Sequence, residues 1–200
     1  DDETFRGGGT LALLAKQGVR VQVLTATRGG AGSCGDPPIC THEELPAVRE
    51  GELRYACRSL GLTEPIVLDY RDEALSAADP GKIVLEILNV IRKVQPQMMI
   101  SFGEDGLSRH PDHVAIGNFA LSAFSRIMAI CAFYTLAVPQ TFSHALGMTQ
   151  IRAIPDKHIT HTVDVSEVWQ AKMAAIRCHQ TQLNESPILR MFLFARSVYI

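Results

Sequence analysis

Short apolar runs alternate with longer stretches of helical periodicity along the whole chain. The runs typical of buried strands lie at residues 19–25, 65–68, 98–102 and 132–138, with a weaker one at 159–163. Apolar residues recur with helical spacing over residues 7–17, 45–60, 82–94, 114–130 and 165–182. This alternation predicts an α/β fold with βαβ units, in which a mostly parallel sheet is covered by helices on both faces.

The carboxyl ends of the predicted strands are where a site is expected. In open parallel sheets, ligands bind beyond that edge. The loops that follow Thr25, Leu68 and Phe102 all leave predicted strands there. Because the sequence shows no internal repeat and no linker-like segment, we expect one domain over residues 1–200.

Composition excludes several classes of partner. The chain has 200 residues, of which 46% are hydrophobic and 20% charged, as in an ordinary globular protein. A net charge of −2 gives no basis for nucleic acid or an anionic membrane as partner. The most apolar stretch, residues 119–138, is interrupted by polar side chains, so no membrane span is predicted. Five cysteines without a Cys-x-x-Cys pair favour reduced thiols in a cytoplasmic protein, with a Cys34–Cys40 disulfide as the alternative.

Two short motifs carry the candidate chemistry. His110-Pro111-Asp112-His113 places two histidines three residues apart, and the chain opens on Asp1-Asp2-Glu3. His113 with one of the two aspartates would supply two ligands of a metal, leaving the other carboxylate as a general base. His110 would act as a cation on a tetrahedral oxyanion, with Asp112 holding its proton. The alternatives are surface or helix-capping residues for the first motif and solvated charge for the second.

Asp1-Asp2-Glu3 matches the end of a longer motif, Ala-His-Pro-Asp-Asp-Glu, and residues 110–113 match a second motif completely. Weaker similarities follow in order along the chain: Thr27-Arg28-Gly29, Arg49-x-x-Glu52-Leu53, Leu60-Gly61, Lys172, His179 and Gln182. With these motifs the chain resembles the LmbE/PIG-L family of metal-dependent N-deacetylases. The resemblance implies a three-layer, Rossmann-like fold of the LmbE type.

The resemblance also assigns catalytic roles. It implies that Asp2 and His113 are metal ligands and that Asp1 is the general base. His110 becomes the electrostatic and general-acid partner, oriented by Asp112. The implied metal is Zn²⁺, although Fe²⁺ and Co²⁺ tolerate the same ligands.

Substrate contacts are implied at two further positions. Arg49 and Asp72 match family positions that contact the sugar hydroxyls of an acetamido-sugar conjugate, most simply one of N-acetylglucosamine. The alternatives are that Arg49 pairs with Glu52 or a nearby acid on its own helix and that Asp72 is a turn residue.

The family pattern includes residues that would precede Asp1. A histidine ligand, a proline and the first strand of the sheet would all lie there, and we expect the natural protein to carry them. Without that histidine, a non-catalytic module binding a glycoconjugate or a nucleotide becomes the alternative function. A third possibility is hydrolysis of a different amide, such as a thiol conjugate, and any of these proteins could form a homo-oligomer.

A dinucleotide-binding fingerprint is imitated near the start of the chain. Gly7-x-Gly9-x-x-Ala12 fits the pattern G-x-G-x-x-G/A. The next predicted strand ends without the acidic residue that would hold a ribose. We therefore interpret these glycines as positions where a helix packs closely on the sheet.

Overall fold

The computed structural model describes residues 1–128 and 132–183 and the backbone of residues 197–199. These residues divide into two compact units. The first comprises Asp1–Asp72 and the segment that begins at Thr162, and the second runs from Glu73 to His161. The single domain over residues 1–200 stays a prediction.

The first unit is built from helices around one parallel strand pair. Its helices are α1 (Asp2–Phe5), α2 (Gly8–Lys16), α3 (Leu45–Ser59) and α7 (Trp169–Cys178). Its parallel strands are β1 (Leu24–Thr27) and β2 (Ile66–Tyr70), with Leu24 opposite Ile66. The loops that leave Thr27 and Tyr70 therefore start at the same edge of this small sheet.

The second unit repeats the same kind of construction. Its helices are α4 (Pro80–Val94), α5 (Pro111–Phe124) and α6 (Gln140–Ala145), and its parallel strands are β3 (Met98–Ser101) and β4 (Ala132–Thr135). Single 3₁₀ turns of this unit occupy Leu75–Ala77 and Asp156–His158. The segment of the first unit that begins at Thr162 contains β5 (Thr162–Asp164), which pairs with β6 (Ser197–Tyr199), and a 3₁₀ turn at Ser166–Val168. The parallel pairs and the alternating helices confirm the predicted α/β class.

Several predicted boundaries were wrong. The strand expected at residues 19–25 is confined to Leu24–Thr27, although the carbonyls of Val21 and Val23 still accept the N–H groups of Thr63 and Ile66. Helix α5 begins three residues earlier than predicted, since Pro111 occupies its first turn and His110 caps it. The helix ends at Phe124, six residues before the predicted end at Ile130, because the N–H groups of Arg126 and Ile127 bond three residues back and close the helix in a turn.

Each unit has its own apolar core. In the first, Leu45, Ala56 and Ile176 are buried from α3 and α7. Gly9 of α2 meets Val165 so closely that a Cβ atom there would lie 2.6 Å from the valine side chain. This contact supports the interpretation of the glycine fingerprint as close helix packing. In the second unit, helices α4 and α5 contribute buried side chains to the core: Ile83, Val84, Ile87, Ala120 and Ala123.

The described residues contain no helix that is both long and apolar enough to cross a membrane. Four cysteines, Cys34, Cys40, Cys57 and Cys178, carry free thiols, and Cys131 lies outside the described residues.

A buried lysine is an unusual feature of the first unit. The side chain of Lys172 on α7 is only 1% exposed. Its ammonium lies 5.7 Å from the centre of the Trp169 ring, a weakly favourable position for a cation. Burial lowers the pKa of Lys172 from 10.5 to about 8. The charged form of this residue therefore costs the folded state free energy at neutral pH.

Replacing Lys172 by methionine is expected to raise the free energy of unfolding at pH 7 by about 2 kcal/mol. Between pH 8 and pH 10.5 the unfolded chain keeps a proton that folded Lys172 has lost. The stability of the natural protein should therefore rise across that window, and the gain from Lys172→Met should shrink. Urea unfolding at pH 7, 8, 9 and 10 measures both trends, with exposed Lys93→Met as control. An unchanged or lower stability of Lys172→Met at pH 7 would contradict the prediction.

Candidate active site

An acidic cluster opens the first unit. The side chains of Asp1 and Asp2 are 24% and 32% exposed, so both reach solvent. The Nε of Arg6 donates a hydrogen bond of 2.7 Å to Oδ1 of Asp2, and the Nη2 of Arg49 lies 3.6 Å from Oδ2 of Asp1. Each predicted carboxylate thus lies beside an arginine of the same unit.

Glu3 points into the protein instead. Its Oε1 accepts hydrogen bonds from the Thr4 hydroxyl at 2.7 Å and from Nε2 of His179 at 2.9 Å. Burial lowers the pKa of His179, so the imidazole is neutral and carries its proton on Nε2. Glu3 and His179 therefore anchor the acidic segment to the end of α7.

Arg49 makes neither of the contacts expected within its own helix. Its Nη1 donates a 2.8 Å hydrogen bond to the carbonyl of Gly29, and its side chain is 15% exposed. The carboxylate of Glu52 accepts bonds from the backbone N–H and the hydroxyl of Thr181, both at 2.8 Å. The structure therefore pairs Arg49 with the loop after β1 and with Asp1.

Asp72 follows β2 and holds that same loop. Its Oδ1 accepts a 3.1 Å hydrogen bond from the Thr27 hydroxyl, and its Oδ2 accepts a 3.0 Å bond from the N–H of Ala31. These contacts agree with the turn-residue alternative. A carboxylate has further lone pairs, so a substrate hydroxyl can still be accommodated.

A histidine cluster lies at the start of α5 in the second unit. The Nδ1 of His113 lies 3.3 Å from the carbonyl oxygen of Gly106. It also lies 3.4 Å from the hydroxyl oxygen of Ser108, which can donate or accept. A carbonyl only accepts, so the bond to Gly106 is made by the tautomer that carries the proton on Nδ1 and leaves the lone pair on Nε2. The ring stacks on Phe102 at a centroid distance of 4.3 Å, which fixes its plane. This arrangement is the one that metal-binding histidines usually adopt.

The contact between His110 and Asp112 differs from the predicted one, in which the Asp112 carboxylate holds the proton of His110. Its Nδ1 accepts the backbone N–H of Asp112 at 3.3 Å, because His110 is the N-cap of α5. The Asp112 carboxylate instead accepts the backbone N–H groups of Glu73, at 2.8 Å, and Leu75, at 3.0 Å. The expected bond between the Asp112 carboxylate and a cationic His110 is therefore wrong for this arrangement. The observed arrangement, in which Nδ1 accepts a hydrogen bond, fits a neutral His110 that presents Nε2–H.

The donor types present suit a metal, although only part of a ligand set is described. Asp2 offers a carboxylate and His113 an imidazole lone pair, both of which Zn²⁺ prefers. Among residues 1–128 and 132–183, no group of three or more His, Cys, Asp or Glu side chains is arranged to hold a metal ion. A catalytic zinc takes about three protein ligands, so neither unit by itself supplies a complete set among the described residues.

Three contacts of this region were not predicted from the sequence: Asp2–Arg6, Glu3–His179 and Glu52–Thr181. The motif resemblance had pointed to His179 and Glu52 as positions, without saying what they touch. Arg6 had no signal beyond its spacing of four residues from Asp2, which permits an ion pair on one helical turn.

Comparison with known proteins identifies the class. Residues 1–124 match the family described as PIG-L: GlcNAc-PI de-N-acetylase. The chain belongs to this family, which confirms the resemblance seen in its motifs. It is therefore a member of a deacetylase family.

Two groups of relatives are similar over nearly the whole chain. A 1D-myo-inositol 2-acetamido-2-deoxy-alpha-D-glucopyranoside deacetylase of Acidothermus cellulolyticus is 30% identical, with 92% of this chain and 76% of the relative covered. A probable N-acetyl-alpha-D-glucosaminyl L-malate deacetylase 2 of Bacillus subtilis is also 30% identical, with 91% and 79% covered. Both names describe removal of an acetyl group from a glucosamine conjugate.

Solved structures share the fold at lower identity. The N,N'-diacetylchitobiose deacetylase of Pyrococcus horikoshii has a TM-score of 0.68 at 24% identity, covering 92% of this chain and 68% of its own. GalB, the 4-carboxy-2-hydroxymuconate hydratase of Pseudomonas putida, has a TM-score of 0.71 at 20% identity, with 96% and 78% covered. These likenesses confirm the predicted fold class, and the hydratase shows that this fold is not limited to one reaction.

Proposed function

We propose that the chain is a metal-dependent hydrolase that removes the N-acetyl group from an N-acetylglucosamine-type conjugate in the cytoplasm. The observation that carries the proposal is the 3.3 Å distance between Nδ1 of His113 and the Gly106 carbonyl oxygen. The tautomer that makes this bond leaves the lone pair of Nε2 for a cation, as in metal-binding histidines. A histidine that only capped or decorated a helix would not need this arrangement.

The proposed metal is Zn²⁺, with Fe²⁺ or Co²⁺ as substitutes, and Asp2 and His113 are the proposed ligands within this chain. When bound, such an ion lowers the pKa of a water molecule and polarises a carbonyl group. The bond from Arg6 occupies one side of Oδ1 of Asp2 and so restricts the rotation of the carboxylate.

Asp1 is the proposed general base. It takes a proton from the attacking water as the new C–O bond forms at the acetyl carbon. His110 forms a hydrogen bond to the oxyanion through Nε2–H. The proton that Asp1 took from water is delivered to the amide nitrogen as the C–N bond breaks, giving acetate and a free amine. For His110 also to act as the general acid, Nδ1 must gain a proton and release the Asp112 N–H. Asp112 is then a residue that positions the α5 terminus.

The proposed substrate contacts are Arg49 and Asp72. Arg49 provides a fixed cation beside Asp1, and Asp72 retains lone pairs for a sugar hydroxyl. The relatives of known name act on glucosamine joined to inositol or to malate. Both conjugates are therefore the first substrates to test.

The test is release of a primary amine from each of these two acetamido conjugates. We expect turnover with Zn²⁺ present, loss of more than about 90% of it after chelation, and recovery on adding the metal. A chain that stays folded and metal-loaded but releases no amine from either conjugate would contradict the proposal. Binding without turnover in that experiment would support the non-catalytic module.

A further inference from the structure

The segment from Thr27 to Gly32 that follows β1 has an unusual relation to Arg49. A Cβ atom on Gly29 would lie 2.5 Å from both Cζ and Nη1 of the arginine, and one on Gly32 would lie 2.4 Å from Nη1. Atoms cannot approach so closely, so the guanidinium rests directly on the bare backbone of two glycines. We call residues 27–32 the glycine seat.

The seat is fastened to the rest of the first unit. The two oxygens of the Asp72 carboxylate bind Thr27 at one end of the seat and Ala31 near the other. Inside the seat, the N–H of Gly32 donates to the Gly29 carbonyl at 3.2 Å, the same carbonyl that receives Nη1 of Arg49. The loop therefore has a defined shape before any ligand arrives.

The seat determines where the arginine charge lies. Arg49 projects from α3 and is 15% exposed, and its Nη2 lies 3.6 Å from the Asp1 carboxylate. Without the seat, an arginine side chain has several rotatable bonds and would sample many positions. Held on the two glycines, it keeps one position beside Asp1.

We infer that Gly32 is a positioning residue, which fixes the Arg49 guanidinium beside Asp1 by leaving room for it. This inference rests on the proposed function, because the fixed charge matters for turnover only if Asp1 and Arg49 serve the reaction. Gly32 suits a direct test better than Gly29, which has a φ of +67° and would be strained by any side chain.

The experiment is a double-mutant cycle of Gly32→Ala and Arg49→Ala. With Arg49 present, Gly32→Ala is expected to lower kcat/KM by about 10-fold or more and Tm by about 2–4 °C. With Arg49→Ala, the added methyl group has nothing to displace, so Gly32→Ala should change neither quantity. Gly51→Ala is the control for kcat/KM, since a Cβ on Gly51 meets no atom within 4 Å. Because Gly51 lies inside α3, this variant should raise Tm slightly rather than lower it.

Two results would overturn the inference. The first is a Gly32→Ala variant whose kcat/KM and Tm equal those of the unsubstituted protein. The second is a loss in Tm on Gly32→Ala that is the same in the presence of Arg49 and in the Arg49→Ala background. The Tm cycle needs no substrate, so it tests the seat even if no acetamide is hydrolysed. A failure of the proposed function would then appear as absent turnover in the natural protein, separately from the thermal coupling of the two residues.

Discussion

Replacing Asp1 by asparagine is expected to lower kcat by about 10²- to 10⁴-fold while the protein keeps its metal. Asparagine preserves the shape of the side chain but cannot accept the proton of the attacking water. The amine-release assay measures kcat, and elemental analysis of the dialysed protein measures bound metal.

Two further variants complete that experiment. His113→Ala should lose both metal and turnover, because it removes a proposed ligand rather than the base. Asp69→Asn is the control, since Asp69 is 91% exposed and pairs with Arg28 on the surface. Turnover by Asp1→Asn equal to that of the unsubstituted protein would contradict Asp1 as the base. An unchanged metal content in His113→Ala would contradict His113 as a ligand.

Replacing Glu52 by alanine is expected to reduce the free energy of unfolding by about 3 kcal/mol. Glu52 is 6% exposed and Thr181 is fully buried. The substitution leaves the N–H and the hydroxyl of Thr181 without their acceptor, in a place that water does not reach. Urea unfolding followed by circular dichroism measures the loss.

The conservative variant makes this prediction more specific. Glu52→Gln retains an oxygen for the Thr181 N–H and gains an NH₂ group that can donate to the hydroxyl, so it should lose less than about 1 kcal/mol. Glu86→Ala, in the helix α4, controls for the change of helix propensity. Equal stability of Glu52→Ala and Glu86→Ala would show that the buried contact contributes nothing.

The helices were the most predictable part of the fold. Gly61 and Asp79-Pro80 mark the end of α3 and the start of α4, and the observed boundaries fall within two residues of those expected. The start of α5 was missed, although His110-Pro111 is itself a helix-start signal. Helix α1 was missed because four residues give no periodic pattern.

The site was less predictable, since its important contacts join residues far apart in sequence. Nothing near Asp112 indicates that its carboxylate would bind the backbone of Glu73 and Leu75, 39 and 37 positions away. Motifs gave the identities of the candidate residues, whereas hydrogen bonds to distant backbone groups decide how those residues are oriented. The roles of Asp1, Asp2, His110 and His113 stay predictions until the variants are measured.

The contact between Glu3 and His179 has a consequence for how the protein is made. The two residues are 176 positions apart, and the first unit is interrupted by the whole of the second. During synthesis, residues 73–161 leave the ribosome as one continuous segment before α7 exists, so they can fold first. A nascent chain that stalls before His179 holds Asp1, Asp2 and Glu3 but lacks the imidazole that binds Glu3. The contact between Glu3 and His179 can therefore form only after His179 has been synthesised.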